Sequence, residues 1–367
     1  MPVTGAARPG GREIVDWDDA ALIAGRLASP GPVAPREELE SLVASLRDAA
    51  GRAVEPVLEI TRMSAADGRS LTASTLSGVL VVDRPGWAAA SARSMRAMTE
   101  GALPVPPRGV PLAAELVASA EVGATLALLS TKILGQFDPF GPPDANLLLV
   151  APNVLQTERE MRVRPADFRL WVCMHEQTHA LQLAAAPWLA EHLRARTQTL
   201  LRDLTASAAD PRQVPARVAG TARAVYSAVR GTETGARPAP SLVDSVLTPS
   251  QRQAFDEVGA VMALLEGHAD VAMDAVGTSV VPTVRSIRRK FSARRSEGGT
   301  GTLDRVLRRL LGMDAKMAQY RDGAAFVRAV TEAVGTDGVN AVWSGPETLP
   351  SAREIADPVS WVRRVHG

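Results

Sequence analysis

Residues 175–179 read His-Glu-Gln-Thr-His, and this H-E-x-x-H pattern constrains the fold more than any other feature of the sequence. On an α-helix, residues four apart lie one turn apart on the same face, so His175 and His179 can reach one metal ion. Glu176 can then reach a water on that metal without being a ligand itself. Residues 167–183 are predicted to form the required helix from the spacing of their apolar side chains. The alternative is a helix with two hydrogen-bonded histidines and no metal.

A catalytic zinc ion takes three protein ligands and keeps a fourth position open, so two histidines are not enough. His192 follows Pro187 on an Arg-rich helix and is predicted to be exposed. The Glu-Gly-His-Ala-Asp sequence at 266–270 is a better source, because Glu266 and Asp270 are four apart and share one helix face. We expect Glu266 to bind the metal. We expect Asp270 to hold the second ring nitrogen of a histidine ligand, in an arrangement similar to the E-x-x-x-D motif of gluzincins.

His268 is the competing third ligand. It lies about 200° around the helix from Glu266, so the two side chains cannot face one metal. The residues that share its face are apolar: Val261, Leu264, Leu265, Val271 and Ala272. The residues that share the face of Glu266 are mixed: Met262, Ala263, Asp270 and Met273. An apolar face indicates core packing and a mixed face suits a cleft, so the pattern favours Glu266 and predicts a hydrogen-bonded core histidine at His268.

The rest of the chain predicts a mainly α fold, that is, an α+β protein whose β element is small. Short strands are predicted at 80–85 and 147–150. A Thr-Pro-Ser-Gln capping box at 248–251 predicts the start of a helix that runs to about Val276. The other predicted helices are 17–28, 37–62, 86–101, 112–135, 167–183, 188–206, 214–229, 283–295, 303–311 and 314–334.

The predicted elements suggest an organisation in three parts. Residues 1–15 are expected to be loose, 16–155 to form an N-terminal helical part with the β element, and 156–367 to form the metal-binding helical part. The alternative is that the last two parts form one continuous domain.

Composition excludes several classes of protein. Hydrophobic residues make up 46% of the chain and charged residues 22%, which are ordinary globular values, and the net charge is +1. The single cysteine, Cys173, excludes an internal disulfide and a cysteine-cluster metal site. The N-terminus lacks the apolar region of a secretory signal, and the apolar stretch 117–134 is interrupted by Glu121 and Lys132. We therefore expect a cytoplasmic protein with no membrane partner, in which this stretch is a buried helix.

Residues 283–321 carry eleven basic and three acidic side chains. One interpretation is a surface for nucleic acid or another anionic partner. The other is a solvated helix face whose arginines pair with acids elsewhere in the fold. Aromatic residues are not interleaved with the basic ones, so the second interpretation is favoured and no nucleic-acid partner is expected.

The sequence resembles the zincin-like metallopeptidases, in particular a group named for an association with biosynthesis of the deazaflavin coenzyme F-420. The resemblance covers nearly the whole chain, and its motifs include the intact H-E-x-x-H and the Glu-Gly-His-Ala-Asp sequence. The segments that carry it are 16–18, 82–87, 134–140, 149–153, 170–182, 266–270, 316–320 and 342–358. It implies a mainly helical, zincin-like fold with an active-site helix and a Zn²⁺ cofactor bound by His175, His179 and Glu266.

The resemblance also implies a zinc-dependent hydrolase, a gluzincin-like metallopeptidase that acts on a peptide or another amide. Its zinc activates a water and polarises the scissile carbonyl, and Glu176 acts as the general base. Tyr320 is a candidate donor to the oxyanion, with a packing role as the alternative. Asn153, after the strand at 147–150, is a candidate for the substrate cleft. The alternatives to an enzyme are a zinc-bearing pseudoenzyme or binding module, and a nucleic-acid-associated protein that uses residues 283–321.

Overall fold

Helices make up most of the protein, whose computed structural model describes residues 13–102, 109–209, 248–297 and 313–367. The first helices are α1 (Trp17–Leu27), α2 (Arg36–Arg52), α3 (Val54–Thr61), α4 (Arg84–Thr99) and α5 (Leu112–Leu129). The strands are β1 (Val79–Val82), β2 (Gly135–Phe137) and β3 (Leu147–Val150). The later helices are α6 (Ala151–Met161), α7 (Pro165–Ala185), α8 (Trp188–Ala209), α9 (Pro249–Ala275), α10 (Val284–Glu297), α11 (Met313–Val339), α12 (Ala352–Ala356) and α13 (Pro358–His366). The predicted mainly α fold with a small β element is confirmed.

Local sequence signals explain where the main helices begin and end. The Thr248 hydroxyl accepts a hydrogen bond from the Gln251 backbone N–H, and the Gln251 side chain bonds back to the Thr248 backbone, so α9 starts at the predicted capping box. Helix α7 ends at Ala185, just before Pro187, which cannot continue a helix. The predicted helices at 214–229 and 303–311 lie outside the described residues.

The sheet has three strands in the order β1-β3-β2. β3 pairs with β1 in parallel and with β2 in antiparallel orientation. All four residues of the central strand β3 are buried, which explains why the sequence at 147–150 is continuously apolar. β2 is an edge strand of this sheet, and it lies beside α7, the helix that carries the H-E-x-x-H pattern.

Several predicted element boundaries are wrong. The strand predicted for 80–85 ends at Val82, because residues from Arg84 belong to α4. The helix predicted for 112–135 ends at Leu129, because residues 135–137 pair with β3 instead. The helix predicted for 37–62 is divided into α2 and α3 around Ala53, and α3 is terminated by Arg62 in the left-handed conformation with φ of 53°. A three-residue strand carries too little sequence pattern to compete with the helical signal next to it.

Helix α7 lies at the centre of the hydrophobic core, and 13 of its 21 residues are buried. It packs against α2, α3, α9 and β2. Trp171 stacks with Phe168 and meets Phe291 of α10 edge to face, with ring centroids 6.1 and 5.0 Å apart. Cys173 is a fully buried free thiol against the Leu46 carbonyl, and burial raises its pKa. The H-E-x-x-H pattern therefore lies on a helix whose position is fixed by packing on most of its sides.

Among the described residues, the apolar helix α5 is covered on one side only, which contradicts the prediction of a buried helix. Ser119, Gly123, Leu126 and Ala127 are buried, on the side where α1 packs. The apolar side chains on its other side, among them Leu112, Leu116, Val117, Leu128 and Leu129, are exposed. Among the described residues, α5 is the one helix that is long and apolar enough to be a candidate membrane span, and 28% of it is buried. The expected absence of a membrane partner stays a prediction.

Candidate metal centre

Three side chains from α7 and α9 converge on one point. Nε2 of His175 and Nε2 of His179 lie 3.1 Å apart. The Glu266 carboxylate approaches them from α9, with one oxygen 3.5 Å from Nε2 of His175 and the other 3.8 Å from Nε2 of His179. One donor atom from each residue falls within 4.8 Å of the others, which is the arrangement needed to share one cation. The three side chains are 15–28% exposed, so the group is open to solvent on one side.

The spacing of these donor atoms fits a tetrahedral zinc ion. Zinc binds imidazole nitrogen and carboxylate oxygen at about 2.0–2.2 Å, so two ligands of a tetrahedral site are about 3.4 Å apart. The separations of 3.1, 3.5 and 3.8 Å lie around that value without any change of rotamer. Two nitrogens and one carboxylate also match the ligand set of catalytic zinc sites, in which a fourth position is open to water or substrate.

Close packing of α9 against α11 fixes the helix that carries Glu266. Gly267 faces Gly323 of α11, and a Cβ on Gly267 would lie 2.2 Å from the Gly323 carbonyl carbon. A Cβ on Gly323 would lie 1.9 Å from the Ala263 carbonyl oxygen. Only glycine permits this approach of two backbones. The residue between Glu266 and His268 is therefore the point at which α9 contacts its neighbour most closely.

Glu176 lies beside the three candidate ligands and is 6% exposed. Its carboxylate accepts a hydrogen bond from the backbone N–H of Phe137 in β2, and its side chain packs on Gly135, where a Cβ would lie 2.6 Å from Cγ of Glu176. Burial raises the pKa of Glu176 to about 7, with a further contribution from the Glu266 charge. His175 and the Phe137 N–H act in the opposite direction. A carboxyl whose pKa is near neutrality is suited to taking up and releasing a proton.

The two candidate histidine ligands titrate differently in the absence of a metal. Burial tends to lower the pKa of His175, but the hydrogen bond and charge of Glu266, with the charges of Glu176 and Asp270, raise it to about 9. Burial and the neighbouring charge of His175 lower the pKa of His179. The metal-free site therefore holds a proton on His175 near neutral pH, and His179 is neutral.

His268 lies in the core, in agreement with its apolar helix face. It is 5% exposed, its Nδ1 lies 3.2 Å from Nε2 of Gln182, and its ring meets Trp343 edge to face at 5.5 Å. Burial and the charge of His179 lower the pKa of His268 to about 4. It does not belong to the group of three donors, which contains Glu266 instead.

The second ring nitrogens of the candidate ligands have uncharged neighbours. Nδ1 of His179 is hydrogen-bonded to Oε1 of Gln182 at 2.9 Å, and Nδ1 of His175 lies 3.1 Å from the Met273 sulfur. Asp270 was expected to hold the second ring nitrogen of one histidine ligand, whereas the structure places Gln182 at Nδ1 of His179 and Met273 at Nδ1 of His175. Asp270 forms an ion pair with Arg288 at 3.1 Å, and its charge contributes to the pKa of both histidines.

Asn153 is buried in the interior, so its predicted place in the substrate cleft is wrong. It is 2% exposed, and its amide donates to the backbone carbonyls of Ser130 and Ile133 at 2.7 and 2.6 Å. Its carbonyl oxygen accepts from Nε of Arg84, whose guanidinium is itself buried. Asn153 lies in the first turn of α6, which begins at Ala151 directly after β3, and its side chain points into the packing between elements.

We expect Asn153→Ala to lower the free energy of unfolding by about 3 kcal/mol, because one buried cationic donor and two buried carbonyls lose their partner. Urea denaturation measures this loss. Asn146→Ala is the control, since the Asn146 side chain accepts one neutral hydrogen bond from the Gly78 N–H. Loss of this bond should cost about 1 kcal/mol. An Asn153 variant of unchanged stability but altered substrate affinity would return this residue to the cleft.

His192 and the described part of the basic segment lie outside the group of three donors. The side chain of Tyr320, on α11, lies outside the described residues. His192 is half-buried against the Trp188 ring, at 5.9 Å. In the described part of the basic segment, Arg288 pairs with Asp270 and Asp274, and Arg294 pairs with Glu160. These ion pairs support the interpretation of 283–297 as a helix whose arginines bind acids of the same chain.

Gln182, Met273, Gly135 and Phe137 were not predicted as parts of the site. Gln182 lies three residues after His179, so helical spacing alone places it on the same face and offers a signal for it. Met273 follows Glu266 by seven residues and shares its face, which is a similar signal. Gly135 and Phe137 had none, because the approach of β2 to α7 depends on the pairing of β2 with β3.

A family model for zincin-like metallopeptidases matches residues 15–362 of the chain. No curated protein matches it. Among solved structures, a protein from Chloroflexus aurantiacus described as "a putative hydrolase with a novel fold" is similar, with a TM-score of 0.61 and 26% sequence identity. That match covers 95% of this chain and 98% of the other. Both similarities therefore extend over the N-terminal helices, the sheet and the candidate metal centre.

Proposed function

The chain belongs to the zincin-like metallopeptidase family, and on that premise we propose that it is a zinc-dependent, gluzincin-like hydrolase of peptide or other amide bonds. The observation that carries the proposal is the position of Glu176 beside the His175, His179 and Glu266 donors. In a structural zinc site a fourth protein ligand fills the open position, and a base beside the metal has no role.

The residues present supply the parts that hydrolysis of an amide needs. A bound zinc ion would polarise the scissile carbonyl and make a water molecule more acidic. Glu176 accepts the proton of the water as the new C–O bond forms, and it donates this proton to the leaving amine as the C–N bond breaks. The hydrogen bond from the Phe137 N–H keeps the carboxylate oriented during both transfers. Tyr320 stays a candidate donor to the developing oxyanion.

We propose that an extended substrate lies along β2. β2 is an edge strand of the described sheet, and the backbone N–H of Phe137 that reaches Glu176 marks the side of the strand away from β3. A peptide that paired with this edge through backbone groups other than the Phe137 N–H, which Glu176 uses, would pass beside the carboxylate and the three donors. An edge strand gives affinity through the backbone and tolerates varied side chains, which fits a peptide better than a compact metabolite.

Hydrolysis of a peptide library by zinc-loaded protein, followed by mass spectrometry, tests the proposed function. Cleavage that disappears on chelation and returns with zinc supports it. Stoichiometric zinc with no cleavage of any peptide or small amide would favour the zinc-bearing binding module. Absence of zinc binding after addition of the metal would contradict the proposed site itself.

Zinc affinity should depend strongly on pH. The pKa of His175 in the metal-free protein is raised to about 9, so below pH 9 a proton must leave before Nε2 can bind the metal. The apparent affinity should therefore rise by about tenfold per pH unit up to pH 9 and then level off. Competition with a chromophoric chelator between pH 6.5 and 9.5 measures this dependence. A curve that levels near pH 6.5 would mean that Glu266 does not hold the proton on His175.

A further inference from the structure

We propose that Gln182 is a positioning residue that fixes the ring orientation and tautomer of His179 and ties α7 to α9 beside Glu266. The inference rests on the proposed zinc site. Gln182 is fully buried and its amide meets three groups. Oε1 is 2.9 Å from Nδ1 of His179, and Nε2 is 3.0 Å from the backbone oxygen of Leu265 and 3.2 Å from Nδ1 of His268.

The Leu265 carbonyl determines how this network is oriented. A backbone carbonyl can only accept a hydrogen bond, so the Gln182 amide must present its NH₂ group to Leu265 and its oxygen to His179. An amide oxygen can only accept, so Nδ1 of His179 must carry the ring proton. In a neutral imidazole the other nitrogen then has a free lone pair, and this nitrogen is Nε2, which faces His175 and Glu266. The tautomer that can bind a metal therefore follows from one backbone carbonyl on the opposite helix.

The same amide also holds the two halves of the site at a fixed distance. Leu265 immediately precedes Glu266, so the bond to its carbonyl anchors α9 at the residue next to the third donor. The second proton of the NH₂ group occupies Nδ1 of His268, which keeps that histidine in the core and away from the metal. Gln182 thus combines the orientation of one ligand with the placement of another.

The test compares Gln182→Leu with Gln177→Leu. Both glutamines are fully buried on α7, and both changes remove an amide of the same size, but Gln177 bonds to Ser77 and the Ala50 carbonyl instead of a ligand. Competition with a chelator should show that Gln182→Leu binds zinc about 10–100-fold more weakly, while Gln177→Leu binds it like the parent. Gln182→Glu keeps an acceptor for Nδ1 of His179 but sets a second acceptor against the Leu265 carbonyl, so it should recover only part of the affinity.

A second measurement requires no variant. In the ¹⁵N NMR spectrum of the parent protein, the imidazole nitrogens of His179 should show the proton on Nδ1, in the metal-free and in the zinc-loaded protein. A proton on Nε2 in the metal-free protein, or equal zinc affinities for the two leucine variants, would overturn the role of Gln182 while the zinc site stood. A parent protein that binds no zinc would overturn the proposed function together with it.

Discussion

Glu176→Gln should abolish hydrolysis and leave zinc bound. The amide of glutamine cannot accept the proton of the attacking water, and general bases contribute about 10²–10⁴-fold to rate. The change keeps the shape of the side chain and its contact with Gly135, so the metal donors of α7 and α9 stay in place. We therefore expect the turnover number to fall by at least this factor at parental zinc content.

Peptide turnover, together with zinc content from plasma mass spectrometry, checks this result. Glu160→Gln is the matched control and should keep full activity. It makes the same chemical change on α6, where the half-exposed Glu160 forms an ion pair with Arg294 of α10. Retained turnover in Glu176→Gln would show that another group is the base. Loss of zinc in Glu176→Gln would show instead that Glu176 has a structural role in the site.

Glu266→Ala should remove the metal, whereas His268→Ala should not. Glu266 supplies one of three donors, and loss of a ligand should weaken zinc binding by more than the roughly 100-fold that loss of an outer partner can cause. His268 touches Gln182 and Trp343 in the core, so its replacement should lower stability with a modest effect on the metal. The two residues are neighbours on one helix, which makes each variant the control for the other.

Zinc content after equilibration with a fixed free-zinc concentration distinguishes the outcomes, and thermal unfolding reports the stability of each variant. Zinc lost in Glu266→Ala and kept in His268→Ala is the expected pattern. The reverse pattern would mean that α9 presents its other face to α7 when metal is bound. Equal loss in both would indicate that any disturbance of α9 opens the site.

The sequence predicted those parts of the protein that depend on local chemistry. The H-E-x-x-H spacing requires a helix, and α7 satisfies it. The capping box at Thr248 determined the start of α9, and the different faces of Glu266 and His268 separated the metal-facing residue from the core residue. Each of these predictions needs only the geometry of one helix.

The parts that could not be predicted depend on contacts between distant segments. β2 is too short to have a periodic pattern, and it exists because β3 is beside it. Whether Asn153 faces a cleft or the interior depends on Arg84, which is 69 residues away in the chain. In the same way, the ion pair of Asp270 with Arg288 joins α9 to α10, and no spacing within one helix predicts it.

The two helices that supply the donors are far apart in the chain, and this has a consequence for stability. His179 and Glu266 are separated by 87 positions (266 minus 179), so a metal shared between α7 and α9 closes a long covalent loop in the way that a disulfide does. A cross-link over about 90 residues restricts the unfolded chain by roughly 4–5 kcal/mol in the loop-entropy model. If the site binds a metal as proposed, metal occupancy and folding would be one linked equilibrium, and a melting temperature would have a meaning only at a stated concentration of free metal.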